Sequence, residues 1–472
     1  MSTPRAPRPA YEQRLEAALA SRRDRSMLRS LDPNPPASSD LVDFSSNDYI
    51  SFGLSRRLKQ KLLSSLHEQQ GLYGPPSSRL LDGNSPLHAA LEHRLAAFFR
   101  APTALLFNAG FDANVGLWTC LADKGDWIVY DELVHASMHD GMRSSRVPAS
   151  RRCAFKHNSI RDLRAILAAI GSEDEGVREG RRSVWIGCES LYSMDGDLAP
   201  LKEIVETVEE MLPRGNGHII VDEAHSTGLY GPHGRGLVCA LGLANRVLVR
   251  VHTFGKAMAC SGAAVLASPL IRNYLINYAR PLIYSTAMTH LSVLAVQKSL
   301  EMLEEGEGES RAEQVHMLAR RLVTRLAASL PPTPPSPSRE LLLPPHLLAI
   351  ASSSSPSASS SAAPPATSPI IPLLTRFPRP LSAFLRKKGY LVRPITYPTV
   401  PRGEERIRVC LHAGNTREEV DGLVAAIKVW VEIGDGDGDG DGVAEGGLAE
   451  QSSAVRKRVG AINAPVVARA RL

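Results

Sequence analysis

The chain reads as an α/β protein: a mostly parallel large-domain sheet covered by helices, followed by a smaller C-terminal α+β domain. Two patterns predict this. Between residues 85 and 270, short apolar runs alternate with stretches of helical periodicity, which is how parallel strands joined by crossover helices appear in a sequence. From Leu291 onward two long helical periods come first, and apolar strand-like runs return only near residue 370. A third observation locates the chemistry. Asp222 ends one apolar run and Lys256 follows another, and ligands of open α/β sheets sit outside the carboxyl ends of strands.

The elements follow in order. Residues 1–45 form a helical arm with Leu15, Leu19, Met27 and Leu28 as its apolar positions. The large domain, 46–290, contains an amphipathic helix over 86–100, with Leu87, Leu91, Leu95 and Phe98 on one face. Its buried strands are expected at 104–107, 127–130, 184–186, 219–221 and 247–249, where β-branched, aromatic and other apolar residues run together. The small domain, 291–433, has strands near 370–374 and 407–411 and a last helix opened by the capping box of Thr416 and Glu419.

Two runs rich in Pro, Ser and Ala, 331–337 and 352–369, are too polar and broken to pack, so a disordered insert is expected at about 331–369. The tail, 434–472, begins with alternating Gly and Asp. It lacks the bidentate glutamate that a calcium loop needs at its end, so it reads as a flexible linker. The chain ends Ala470-Arg471-Leu472, which is similar to the Ser-Lys-Leu type of address. That makes the peroxisomal import receptor an expected partner and the peroxisome the expected location, with the cytoplasm as the alternative.

Composition narrows the function classes. With 43% hydrophobic residues the chain can bury a large core, and the net charge of +6 is scattered rather than striped beside aromatics, which argues against nucleic acid. The six cysteines contain no Cys-x-x-Cys pair and suit reduced thiols in an intracellular protein. No metal-ligand cluster is expected. No apolar run is long enough to span a membrane, and residues 1–10 lack a signal-peptide core.

The most informative stretch is His252-Thr-Phe-Gly-Lys256-Ala-Met-Ala259, which sets a lysine on a turn of small residues after a strand. This is how a Schiff-base amine is presented to pyridoxal 5'-phosphate. Thirty-odd residues earlier, His218-Ile-Ile-Val-Asp222-Glu-Ala-His225 ends a strand in Asp-x-x-His. A carboxylate at Asp222 would keep the cofactor's ring nitrogen protonated, and a protonated ring draws electrons. Each motif alone has an ordinary reading, as a cap or a solvated lysine. Together and in this order they point to that cofactor.

With these residues in place, the chain resembles the α-oxoamine synthases, pyridoxal-phosphate-dependent transferases of fold type I. The likeness runs from about Tyr11 to Glu432 apart from the insert. It rests on Phe44-Ser-Ser-Asn-Asp-Tyr49, Asn108-Ala-Gly-Phe-Asp-Ala-Asn114, Asp131-Glu-Leu-Val-His-Ala-Ser137, Ser193-Met-Asp-Gly-Asp197, Val221-Asp-Glu-Ala-His-Ser-Thr-Gly228, Thr253-Phe-Gly-Lys256, Ile283-Tyr-Ser-Thr286 and Arg406-Ile-Arg408.

The resemblance implies that His135 stacks on the cofactor ring and that Gly110 and Phe111 bring backbone N–H groups to its phosphate. It implies that Ser193 and His225 bond the phenolic oxygen and that Thr253 adds a hydroxyl to the phosphate. Family members are homodimers, so Ser285 and Thr286 are expected to reach the other subunit's phosphate. Arg408, with Asn47 beside it, is expected to hold the amino-acid carboxylate, and Arg29 to lie near the acyl substrate. The likeness is strongest to the branch that serves biotin formation, which implies L-alanine and pimeloyl-CoA, an acyl-CoA, as substrates. Another amino acid, a longer acyl-CoA or a non-catalytic partner on the same fold are the alternatives. There are two departures, Gly74-Pro-Pro-Ser-Ser-Arg79 in place of a glycine-rich turn and Cys410 in place of a threonine; the first stiffens a loop expected to border the acyl channel and bears on acyl specificity more than on the chemistry.

Overall fold

Apolar, β-branched runs pair into a seven-stranded sheet in this computed structural model, which describes residues 9–25, 27–29, 41–69, 74–330, 339–352 and 367–432. After a two-residue strand β1 (Val42–Asp43), the strands are β2 (Thr103–Phe107), β3 (Trp127–Asp131), β4 (Arg152–Phe155), β5 (Val184–Glu189), β6 (Gly217–Asp222), β7 (Val249–Thr253) and β8 (Ala263–Ala267). Their order is β2-β8-β7-β6-β5-β3-β4, and only β8 runs antiparallel to its neighbours. Every residue of β5 is buried, as a strand covered by helices on both faces requires. Burying each Val, Ile or Leu side chain contributes roughly 1.5–3 kcal/mol, so these central strands anchor the sheet.

The strand expected at 247–249 begins at Val249 and continues to Thr253. Its extension is masked in the sequence by two polar residues: Arg250 donates to the carbonyls of Phe99 and Arg100, and His252 Nδ1 lies 2.9 Å from Thr227 Oγ1. The helix expected over 86–100 spans Pro86–Phe98 and is capped by Ser85, whose side chain accepts from the His88 N–H.

The small domain holds β9 (Ile370–Leu374), β10 (Tyr390–Leu391), β11 (Arg393–Ile395) and β12 (Arg406–Cys410); β12 is the middle strand of an antiparallel sheet, and β10 pairs with β1. The long helices His290–Glu304 and Glu307–Ser329 precede them. The capping box closes as expected: Glu419 N–H donates to Thr416 Oγ1 at 3.1 Å, and Thr416 N–H donates to Glu419 Oε2 at 2.8 Å.

The insert expected at 331–369 is narrower than its composition suggested. Residues Pro345–Ser352 form a helix with Leu347 buried, and Thr367 and Ser368 are buried too, because their oxygens serve interior groups. Tyr230 donates to the Thr367 carbonyl, and Ser368 donates to the Gly196 carbonyl. The rest of both Pro/Ser runs, the tail from 434 and Ala470-Arg471-Leu472 lie outside the described residues. In the arm, helix Ala10–Asp24 buries none of its residues.

At the edge opposite the strand carboxyl ends, the buried Asp174 accepts from Trp127 Nε1 at 2.9 Å, Arg151 Nη1 at 2.7 Å and Arg182 Nη1 at 2.9 Å. Burial works against its charge, but these donors outweigh burial and hold the carboxyl at about 2. A depressed carboxylate stabilises the fold above its unfolded pKa of about 3.9, and that stability is lost as pH falls through about 2. Asp174→Asn should therefore destabilise the protein by about 1–2 kcal/mol at pH 7. In thermal melts the gap from wild type should close as the pH approaches 2.

Candidate active site

Five chain segments end at the carboxyl edge of the sheet. Asp222 is the last residue of β6, and Glu189, the last of β5, is its register partner on the neighbouring strand. Lys256 lies three residues past β7, His135 caps the helix Ala136–Arg143 after β3, and Gly110 opens the helix Gly110–Cys120 after β2. Parallel pairing gathers those that follow β3, β5, β6 and β7, and β2, antiparallel to β8 as β7 is, ends at the same edge.

Asp222 is buried and takes two donors, Asn114 Nδ2 at 2.7 Å and the Ala224 N–H at 2.9 Å. Asn114 Nδ2 also donates to Ser137 Oγ at 3.0 Å, and that hydroxyl lies 2.7 Å from His135 Nδ1. The Ser137 N–H also donates to His135 Nδ1, at 3.2 Å. His135 Nδ1 is thus an acceptor, and the ring's proton belongs on Nε2. Burial, with the nearby Lys256 charge, lowers the His135 pKa despite Asp222, so the ring is a neutral flat surface.

Burial also lowers the Lys256 ammonium below the ordinary lysine range, although Asp222 and Glu189 oppose the change and Arg408 assists it. A lysine shifted this way is a better nucleophile and base. Glu189 moves in the other direction. Burial and the neighbouring Asp222 push it well above the usual carboxylate range, so one strand end carries a fixed charge and the next a neutral acid.

The anion end lies at the helix Gly110–Cys120. Its cap is Ala109, whose side chain offers no capping bond, so first-turn N–H groups are left for an external acceptor. A Cβ at Gly110 would lie 2.3 Å from Thr253 Cγ2, which requires glycine there, and Thr253 Oγ1 is buried with no partner among the described residues. Phe111 sits edge-on to His135 at 6.5 Å between centroids. A buried carboxylate, a deprotonation-prone amine, a flat neutral ring and an anion cradle with an unpaired hydroxyl fit pyridoxal 5'-phosphate. Asp222 would hold its ring nitrogen, His135 its face, and Gly110, Phe111 and Thr253 its phosphate.

A second cluster adjoins the first. Arg408 on β12 is buried; its Nη2 donates to Asn47 Oδ1 at 3.1 Å and to the Tyr49 hydroxyl at 3.2 Å, and its Nε donates to the Ser193 carbonyl at 2.6 Å. The Tyr49 hydroxyl is 2.8 Å from His225 Nδ1. His225 is held neutral by burial, reinforced by the charges of Lys256 and Arg408. One hydrogen-bonded chain thus links Asn47, Arg408, Tyr49 and His225; of these contacts, Asn47 beside Arg408 is the one the sequence led us to expect. It touches Ser193 through that residue's carbonyl, although the hydroxyl was the group expected to act.

Ser285 and Thr286 line a small cavity with Asn108 and Arg79, and the Thr286 carbonyl accepts from Asn108 Nδ2 at 2.7 Å, two residues before Gly110. Arg29 is exposed on the arm, and among the described residues no hydrogen bond of the site reaches it. Sequence reading assigned no role to Asn114, Ser137, Tyr49 or Glu189. Asn114 did leave a signal, because it lies one helical turn after Gly110 on the same face. Among the described residues no helix is long and apolar enough to cross a membrane, and no group of three or more His, Cys, Asp or Glu side chains is arranged to hold a metal ion.

This fold and site define a pyridoxal-phosphate-dependent transferase of fold type I. Residues 39–427 match the family described as aminotransferase class I and II. The chain is 44% identical to an 8-amino-7-oxononanoate synthase of Emericella nidulans, over 89% of this chain and 95% of that protein. It is 36% identical to the aminoacyl transferase sphA of Aspergillus fumigatus, over 89% and 87%. Among solved structures, a serine palmitoyltransferase of Sphingomonas wittichii shares the fold with a TM-score of 0.69 at 24% identity, covering 89% of this chain and 96% of that one. The chain belongs to the α-oxoamine synthases, within the class I and II aminotransferase family. It is a pyridoxal-phosphate-dependent acyltransferase.

Proposed function

We propose that this enzyme condenses L-alanine with a pimeloyl thioester, pimeloyl-CoA in the first instance, to give 8-amino-7-oxononanoate, free thiol and carbon dioxide. The observation that carries this reading is the 44% identity to an 8-amino-7-oxononanoate synthase along nearly the whole of both chains. The 36% identity to the sphA aminoacyl transferases supports a second reading, the same condensation with a different amino acid or a longer acyl chain.

Bound pyridoxal phosphate supplies the electron sink that makes the α-carbon of the amino acid acidic. The protein's residues do the rest. Arg408 and Asn47 hold the amino-acid carboxylate, the guanidinium offering two parallel donors. The Lys256 amine, poised by burial, takes the α-proton as general base. Asp222, held by Asn114 and the Ala224 N–H, keeps its negative charge for the ring nitrogen, and His135 covers one face against water. The same reading takes the enzyme as a homodimer, with Ser285 and Thr286 serving the neighbouring subunit's phosphate, and assigns Arg29 to the acyl substrate. It takes Ala470-Arg471-Leu472 as a peroxisomal address.

Purified holoenzyme incubated with a panel of amino acids and acyl-CoAs, with products identified by mass, tests the reading. L-alanine with pimeloyl-CoA should give the decarboxylated aminoketone at the highest kcat/KM. A preference for another amino acid or for long-chain acyl-CoA would replace it with the second reading.

A further inference from the structure

One histidine outside the site is gripped by carboxylates at both ring nitrogens. His157, just past β4, places Nδ1 2.9 Å from Asp131 Oδ1 and Nε2 2.8 Å from Asp197 Oδ2. Ionised carboxylates only accept, so both nitrogens carry protons and the ring is an imidazolium. Burial opposes that charge, yet the bonds to Asp131 and Asp197 outweigh it and push His157 up to about 10. The other groups facing this cluster are Glu132, whose Oε1 accepts the His157 N–H, His346 beside Asp197, and Tyr192, whose ring meets His157 edge-on at 4.4 Å. Asn158 ties the same two carboxylates, its N–H to Asp131 Oδ2 and its Nδ2 to Asp197 Oδ2, both at 2.8 Å.

The clamp joins a strand end to a turn. Asp131 closes β3 and is fully buried, whereas Asp197 ends the turn at 193–197. That turn is where the large domain receives both arginines of β12. Ser193 O takes Arg408 Nε at 2.6 Å, while Met194 O and Asp195 Oδ1 take Arg406 Nη1 at 3.1 and 2.6 Å. The turn also sits flush on β9: Gly196 has φ +66°, and a Cβ there would lie 2.0 Å from Ile370 O.

We propose that His157 is a positioning residue for the amino-acid substrate: it pins the 193–197 turn so that the Ser193 carbonyl fixes the orientation of the Arg408 guanidinium. This rests on Arg408 holding the amino-acid carboxylate, as read above. Lys256 and Asp222 stand on other strand ends and keep their places when the clamp opens. The loss therefore appears in binding of the amino acid and not in the chemical step.

The test uses holoenzyme with the amino acid varied at saturating acyl-CoA, for His157→Gln, Asp197→Asn and Arg408→Lys. His157→Gln and Asp197→Asn should each raise the amino-acid KM about tenfold, with kcat within about twofold and the acyl-CoA KM unchanged. Should His157→Gln fail to fold, Asp197→Asn carries the test, because it leaves the histidine anchored to Asp131. In melts of the apoprotein, the wild-type advantage over His157→Gln should be full below about pH 6.5 and lost as pH rises through about 10. If Arg408→Lys raises the amino-acid KM while both clamp variants leave it unchanged, or lower kcat and both affinities together, the proposal falls and the reading of Arg408 stands. An unchanged KM in Arg408→Lys removes that reading and the proposal with it.

Discussion

Replacing Lys256 with alanine should reduce condensation by about 10⁴-fold or more, beyond what loss of a general base alone costs. On the proposed reading one amine would serve two purposes: it would tether the cofactor's aldehyde and take the α-proton. Cofactor should still bind without the covalent link, because the Gly110 helix start, the unpaired Thr253 hydroxyl and the charge of Asp222 remain. The fold should not suffer. Burial disfavours the Lys256 charge, which lowers its pKa and costs stability wherever the amine is protonated, so the variant apoprotein should melt no lower than wild type at pH 7. Borohydride reduction of wild-type holoenzyme followed by peptide mapping should label Lys256, and the variant should show no label. Residual activity within tenfold of wild type, or a label on another lysine, would assign the amine elsewhere.

The parts of this molecule that sequence reading located are those whose signal is local. The runs of β5 and β6 are apolar because both faces are covered, and the Thr416 and Glu419 box is contained within four residues. Strands whose identity depends on their neighbours were not legible. β4, Arg-Cys-Ala-Phe, is a half-exposed edge, and β8 is mostly alanine, a weak strand former that becomes a strand by pairing with β2 and β7. Likewise Thr367, at the end of a stretch dominated by Pro, Ser and Ala, is buried because its carbonyl serves Tyr230 and His316.

The site divides along the same line. Asp222 and Lys256 could be read because Asp-x-x-His at one strand end and Thr-Phe-Gly-Lys past another occur together and in that order, although either alone has an ordinary reading. The residues that tune them could not. Glu189 lies beside Asp222 only because β5 pairs with β6 in that register, and His157 reaches Asp131 and Asp197 only because β3 lies between β4 and β5. In sequence those carboxylates resemble turn caps, and sheet order makes them a clamp.

Asp222→Asn tests whether charge, rather than shape, is what this carboxylate contributes. Asparagine keeps the volume and can still accept from the Ala224 N–H, so the fold should be retained while the fixed charge is lost. Breaking a buried charge pair costs about 3–5 kcal/mol, so kcat should fall by about 10²- to 10⁴-fold. Two linked shifts should accompany it. Asp222 raises the proton affinity of Lys256, so in the apoprotein the pH at which an amine reagent half-modifies Lys256 should move lower in the variant. Asp222 also pushes Glu189 upward, so Glu189 should ionise more readily once that charge is gone and recover part of the lost field. Adding Glu189→Gln should remove that recovery and lower kcat further. If Asp222→Asn keeps activity within tenfold while Glu189→Gln alone abolishes it, the carboxylate that faces the ring nitrogen is the one on β5, and the roles of these two strand ends are reversed.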